Sequence, residues 1–150
     1  MRKGIIRPLA ICIFQKGESI LVSEGIDPKT GNYFYRPVGG GIEYGERSSD
    51  AVIREVKEEI GADICHLKLL GTLENIFTYD GDLGHEIVQV YAADFIDSSY
   101  YNLSIFKGKE DNGIEFDVMW KPLSDFQKES RLVPEGLYEL LKSKVSKFSS

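Results

Sequence analysis

Long apolar runs are missing from this 150-residue chain: 42% of its residues are hydrophobic, but they come in short groups. None approaches the about 18 residues that a bilayer-spanning helix needs, which excludes that kind of membrane protein. Cysteine is scarce as well. Cys12 and Cys65 lie in apolar surroundings without the CxxC spacing of zinc and redox sites, so both read as reduced core thiols. Positive charge is in short supply: 18 Lys and Arg face 24 Asp and Glu, a net charge of −6. A broad nucleic-acid surface is built from clustered Lys and Arg, so none is expected here. The basic start, Met1 to Pro8 (MRKGIIRP), is broken by Arg7 and Pro8 before any signal-like apolar region, and no small-residue cleavage pattern follows. The expectation is a cytoplasmic protein with no membrane partner. Internal repeats, linkers and low-complexity tracts are absent too, and the length suits a single domain over residues 1–150.

What is present alternates between strand-like and helix-like segments. Leu9 to Phe14 (LAICIF) and Ser19 to Ser23 (SILVS) are rich in strand formers, with a hairpin turn at Gln15-Lys16-Gly17-Glu18. A polar stretch, residues 25–32, leads to Tyr33-Phe34-Tyr35-Arg36-Pro37-Val38 and then to Gly39, Gly40 and Gly41. A helix over about Ser49 to Ile60 follows, capped by Ser48 or Ser49, with Asp50 suited to the dipole of its first turn and Gly61 to its left-handed end. Leu69 to Tyr79 and Glu86 to Phe95 read as strands joined by a turn at residues 80–84, and Phe116 to Trp120 as another. Pro134 is expected to start a last helix with Leu137, Leu140 and Leu141 on one face. Strands on both sides of the first helix predict an α/β fold, a mixed sheet flanked by helices.

The first helix holds an unusual concentration of charge in Arg54 to Gly61 (REVKEEIG). At about 100° per residue, Glu55, Glu58 and Glu59 share one arc beside an apolar arc of Val52, Ile53, Val56 and Ile60. Like charges three and four residues apart repel. Either the face is simply solvated or a cation sits on it. The glycine loop upstream permits close backbone approach, and it carries Glu43 and Glu46 toward the same helix. Oxygen ligands without His or Cys select Mg²⁺ (or Mn²⁺) over zinc. Carboxylates with such a cation commonly activate water and neutralise a transferring phosphoryl group. An arginine among four glutamates can fix their geometry through bidentate hydrogen bonds.

The run Gly40 to Ala62, GGIEYGERSSDAVIREVKEEIGA, resembles the Nudix box: Gly40, five residues, Glu46, seven residues, Arg54-Glu55, an aliphatic Val56, Lys57, Glu58-Glu59, Ile60 and Gly61. The likeness is specific over those 23 residues and looser elsewhere, in the two strands before the box, the EN-containing strand Gly71 to Tyr79 and Trp120-Lys121-Pro122-Leu123. Val38 departs from the proline usual before the glycine pair, and Ala62 from a larger aliphatic. The resemblance implies a Nudix fold, an α/β/α sandwich with a mixed β-sheet, and hydrolysis of a nucleoside diphosphate linked to another moiety. By the same resemblance Glu58 and Glu59 bind the metal, Glu55 binds metal or acts as base, the Gly40 carbonyl can be a ligand, and Glu46 pairs with Arg54.

Many such enzymes recruit another acid from outside the box. Glu110, in a polar Gly-containing loop, is the first candidate, followed by Glu115 and by Glu86 at a strand start. Tyr35 and Phe77 could stack on a base, although sheet aromatics more often serve packing; Tyr33 and Tyr79 share their faces. Arg7 and Arg36 could contact substrate phosphates. His85 reads as structural. The expected partner is a small nucleotide, with exposed strand edges leaving room for a homodimer. Two other functions remain open: a nucleotide-binding sensor without turnover, which the intact Glu55, Glu58 and Glu59 disfavour, and RNA 5′-end pyrophosphohydrolysis, which the net charge disfavours.

Overall fold

A computed structural model describes residues 4–127 and 130–144. Its strands are β1 (Arg7–Ile13), β2 (Gln15–Lys16), β3 (Ser19–Ile26), β4 (Tyr33–Arg36), β5 (Val38–Gly41), β6 (Ile64–Tyr79), β7 (Asp82–Phe95), β8 (Ile105–Lys109) and β9 (Glu115–Pro122). Helix α1 (Ser48–Ile60) lies between β5 and β6, and α2 (Leu137–Lys144) comes last. Two 3₁₀ turns, Ser98–Asn102 and Leu123–Gln127, complete the order.

The strands form two sheets. One runs β5-β1-β7-β6 and is mixed, because β1 pairs with β5 antiparallel and with β7 in parallel, Arg7 opposite Glu86 and Ile13 opposite Ala92. The other runs β2-β3-β9-β8 with β4 added to β3. Side chains alternate along β1. Ala10 and Cys12 enter a core against α1, with Val52, Val56 and Phe95, whereas Ile11 and Ile13 enter a second core with Val88, Val90, Leu137 and Leu141 of α2. Helices on opposite faces give the expected α/β/α layering. The two sheets are clasped at their far ends by Asp27 in the β3–β4 loop, whose Oδ1 accepts from the amides of Lys29 and Asp80.

Several boundaries differ from the sequence reading. Helix α1 starts at Ser48, its preceding residue is Arg47, and no side chain caps it; Ser48 instead shares a hydrogen bond with Tyr91 Oη. Gly61 does close the helix in the left-handed region, φ 73°, donating to Lys57 O. Strand β6 begins at Ile64, earlier than Leu69, because the backbone bulges between Cys65 and Lys68, with His66 at φ 57°. Strand β7 begins at Asp82, so the connecting turn is shorter than residues 80–84. Pro134 does not start α2; Leu137 N donates back to Pro134 O in a turn, and the helix begins at Leu137. Strand β8 was not anticipated. Cys12 is buried and Cys65 half-buried, and both are free thiols.

Candidate active site

Helix α1 buries Ala51, Val52, Val56 and Ile60, and it takes Glu55 down with them, 8% exposed. The opposing surface is β5, where glycines are required. A Cβ on Gly39, at φ 150°, would run into the Ala10 carbonyl, and one on Gly40 would occupy the space of the Glu55 carboxylate. Bare backbone at Gly40 is what lets a buried carboxylate lie against the strand.

Arg54 organises the polar side of the helix. Its Nε and one terminal nitrogen donate to both oxygens of Glu46 at 2.8 and 2.9 Å, and that same nitrogen donates to Gly41 O at 3.0 Å. The other terminal nitrogen reaches Glu55 Oε1 at 2.9 Å and Glu58 Oε2 at 3.2 Å. Glu46 also accepts from the Glu43 amide at 3.0 Å, which fixes the loop ahead of the helix. The Arg54 hydrogen bonds, with help from that amide, hold the Glu46 carboxyl down at about 2. Bonding to Glu46 and Glu55 in turn raises Arg54.

The other carboxylates move the opposite way. Burial pushes Glu59 up to about 7; the charges of Glu55 and Glu110 add to it, and the Gly39 amide, donating to Oε1 at 2.8 Å, and Arg36 oppose it. Burial also raises Glu55, with the charges of Glu58 and Asp111 adding and Arg54 opposing. Glu110 and Asp111, in the turn after β8, therefore project their charge onto the helix. Glu110 lies 3.9 Å from Arg36 at the end of β4.

This donor set fits a hard divalent cation. It consists of carboxylate oxygens and a nearby backbone carbonyl, and desolvated carboxylates of one sign are crowded so that a cation would relieve them. Among the described residues no three acidic, His or Cys side chains already form a metal cluster, and Arg54 engages Glu55 and Glu58 through one oxygen each.

The remaining candidates are spread out. Arg7 lies across β5, where a Cβ on Gly41 would come within 3.2 Å of its guanidinium. Arg36 faces the Glu59 and Glu110 charges. Tyr35 is turned to the α2 side: its hydroxyl donates to Glu24 at 2.6 Å, its ring packs on Phe126, and Lys121 Nζ sits 4.7 Å above it. Phe77 is half-buried on β6. Glu115 opens β9 opposite Lys109, and Glu86 sits within β7, accepting from Asn75 Nδ2 at 3.1 Å. Sequence reasoning gave no role to Asp111 and none individually to Gly39 or Asn75. Gly39 stood in the glycine run and Asn75 in the EN-containing strand of the family likeness, whereas Asp111 depends on which strands become neighbours.

An α/β/α sandwich that presents an arginine-organised carboxylate set from the helix after a glycine strand defines a Nudix-fold domain. The NUDIX domain pattern matches residues 6–141, and the chain belongs to the Nudix hydrolase family. The uncharacterized Nudix hydrolase YvcI of Bacillus subtilis is 29% identical over 119 residues, covering 77% of this chain and 66% of that protein, just under two thirds of its length. Among solved structures, a MutT NUDIX hydrolase from Burkholderia pseudomallei superposes with a TM-score of 0.63 at 19% identity, over 94% of this chain and 98% of that one. A NUDIX hydrolase from Nitrosomonas europaea gives 0.61 at 15% identity, over 92% and 87%. These two likenesses concern the fold.

Proposed function

We propose that the chain is a Mg²⁺-dependent (or Mn²⁺-dependent) pyrophosphohydrolase that cleaves the diphosphate linkage of a nucleoside diphosphate derivative. The observation that carries this reading is the opposed tuning of neighbouring carboxylates. Arg54 pins Glu46 as a permanent anion that shapes the loop, while Glu55 and Glu59 are desolvated and disposed to bind a cation or a proton. Glu55, Glu58, Glu59 and the Gly40 carbonyl would hold the cation, with Glu110 joining from the β8–β9 turn. A cation bound there supplies an activated water and neutralises charge on the departing phosphate.

The chain's own groups do the rest. The Gly39 amide occupies Glu59 Oε1 and leaves Oε2 to bind or to take a proton. Arg54 sets the orientation of Glu55 and Glu58. Among the described residues Arg7 has no carboxylate within ion-pair distance, so its guanidinium is available to a phosphate, and Arg36 can leave its long contact with Glu110 to do the same. Phe77 offers an apolar face to a base. Tyr35 belongs to this substrate set in the sequence reading, although its hydroxyl is committed to Glu24.

The test is phosphate release from a panel of nucleotide derivatives with Mg²⁺, with and without added phosphatase, for wild type, Glu58→Gln and Glu59→Gln. Metal-dependent turnover is expected, falling by at least about 10²-fold in both variants, the scale on which one stabilising group acts. If wild type binds a nucleotide but turns none over, the chain is a sensor and the hydrolase reading fails.

A further inference from the structure

Asn75 is one of few buried polar residues, 6% exposed, and both ends of its amide are used. Nδ2 donates to Glu86 Oε1 at 3.1 Å, and Oδ1 accepts from the amide of Glu135, in the turn before α2, at 3.2 Å. Asn75 stands opposite Glu86 in the β6–β7 register, and Glu86 stands opposite Arg7 in the β7–β1 register. Facing residues of paired strands leave the same side of a sheet, so the three form one polar row. The next row, Leu73, Val88 and Leu9, belongs to the core under α2. Phe77, two residues beyond Asn75, shares that side. At its other end the row meets the carboxylate site, because Arg7 lies against Gly41, whose carbonyl accepts from Arg54.

A buried amide spent on one oxygen of a half-buried carboxylate does two things. It removes the rotational freedom of Glu86, and it leaves Oε2 to accept from something else. We propose that Asn75 is a positioning residue: it fixes the Glu86 carboxylate beside Arg7 so that Glu86 accepts hydrogen bonds from donors on the sugar or base of the substrate while Arg7 meets its phosphates. This rests on the hydrolase reading and extends it to the part of the substrate that does not react. Arg7 on β1 stands beside Glu86 in the register, and Glu135 ahead of α2 touches Asn75 through its backbone amide.

The experiment measures kcat and KM with Mg²⁺ at pH 8 for wild type, Glu86→Gln, Asn75→Asp and the double variant, on the best substrate of the panel. Titrations with the nucleoside mono- and diphosphates of the panel run alongside. Loss of a hydrogen bond to a charged acceptor predicts KM raised about tenfold or more in Glu86→Gln with kcat within about threefold. Asn75→Asp offers Glu86 a carboxylate where it now receives an N–H, so it is expected to raise KM by a similar factor with kcat within about threefold, and the double variant is expected to cost no more than Glu86→Gln alone. A purely structural asparagine would add its own loss to that of Glu86→Gln, and that outcome, or an unchanged KM in Glu86→Gln, overturns the proposal. If Asn75→Asp does not fold, Glu86→Gln decides alone. A wild type without turnover sinks the hydrolase reading instead, and the Kd of the panel nucleotide that wild type binds most tightly then shows the same contrast between variants. Ribose, 2′-deoxyribose and 2′,3′-dideoxyribose substrates separate the donors: a Glu86→Gln penalty lost with the 2′- or the 3′-hydroxyl assigns that hydroxyl, and a penalty equal on all three sugars assigns the base.

Discussion

Glu59 is held in conflict by its surroundings: burial and two neighbouring carboxylates resist its charge, and one backbone amide and the charge of Arg36 support it. Its folded-state carboxyl titrates at about 7, above the ordinary 4.5, so the folded chain holds that proton more tightly than the unfolded one. Stability of the cation-free protein therefore falls as pH rises from about 4.5 to about 7 and stays reduced above. Glu59→Gln keeps an oxygen for the Gly39 amide and removes the charge. At pH 8 without metal it is expected to raise stability by on the order of 2 kcal/mol, roughly 4–8 °C in Tm by calorimetry, while abolishing turnover. Glu46 has the reverse sign. Its carboxyl is lowered to about 2, so its contribution is present above the ordinary 4.5 and is lost as pH falls through about 2. Arg54→Lys cannot serve Glu46, Gly41, Glu55 and Glu58 together, because an ammonium lacks the planar fork. Steady-state kinetics are expected to show kcat/KM reduced by about 10²-fold, the scale of misplacing reacting groups by an ångström. At this scale the box was readable from sequence, down to the Glu46–Arg54 pair. Whether Glu55 or Glu59 would be the more perturbed was not readable, because burial depends on what β5 presents to each.

Among the elements, α1 was the most legible, since its charge and apolar arcs both repeat at the helical period. Its start was misassigned by one residue, with Ser48 turned to Tyr91 where a cap was expected. Short β8 (IFKGK) has a lysine-glycine interior and little strand character; it exists because β9 pairs along its whole length. Strand β5 (VGGG) is likewise a strand only because β1 supplies the ladder. That origin gives a paired prediction. Gly39→Ala collides with fixed backbone and is expected to cost about 3 kcal/mol or more by denaturant titration. Gly40→Ala meets the end of a side chain, so it is expected to fold and to lose activity by displacing Glu55.

For the whole molecule, the net charge of −6 bears on the proposed substrate, because a polynucleotide is held by a basic track whereas the proposed small nucleotide would need only a bound cation and Arg7 and Arg36. Filter binding with 5′-triphosphorylated RNA at 0.15 M salt is expected to show no retention above background; tight retention would move the substrate class to RNA ends. The α/β/α layering was readable from the alternation of segments, but the presence of two sheets was not, because nothing local tells β3 to pair with β9. The parallel pairing of β1 with β7 also orders events in time. When the ribosome has made Gly61, every glutamate of the box exists, yet β7, the parallel neighbour of β1, has not been synthesised. Until Ala92 emerges, the acidic helix has only β5 and β1 of its sheet to lie on, so the proposed metal site would be completed late in synthesis.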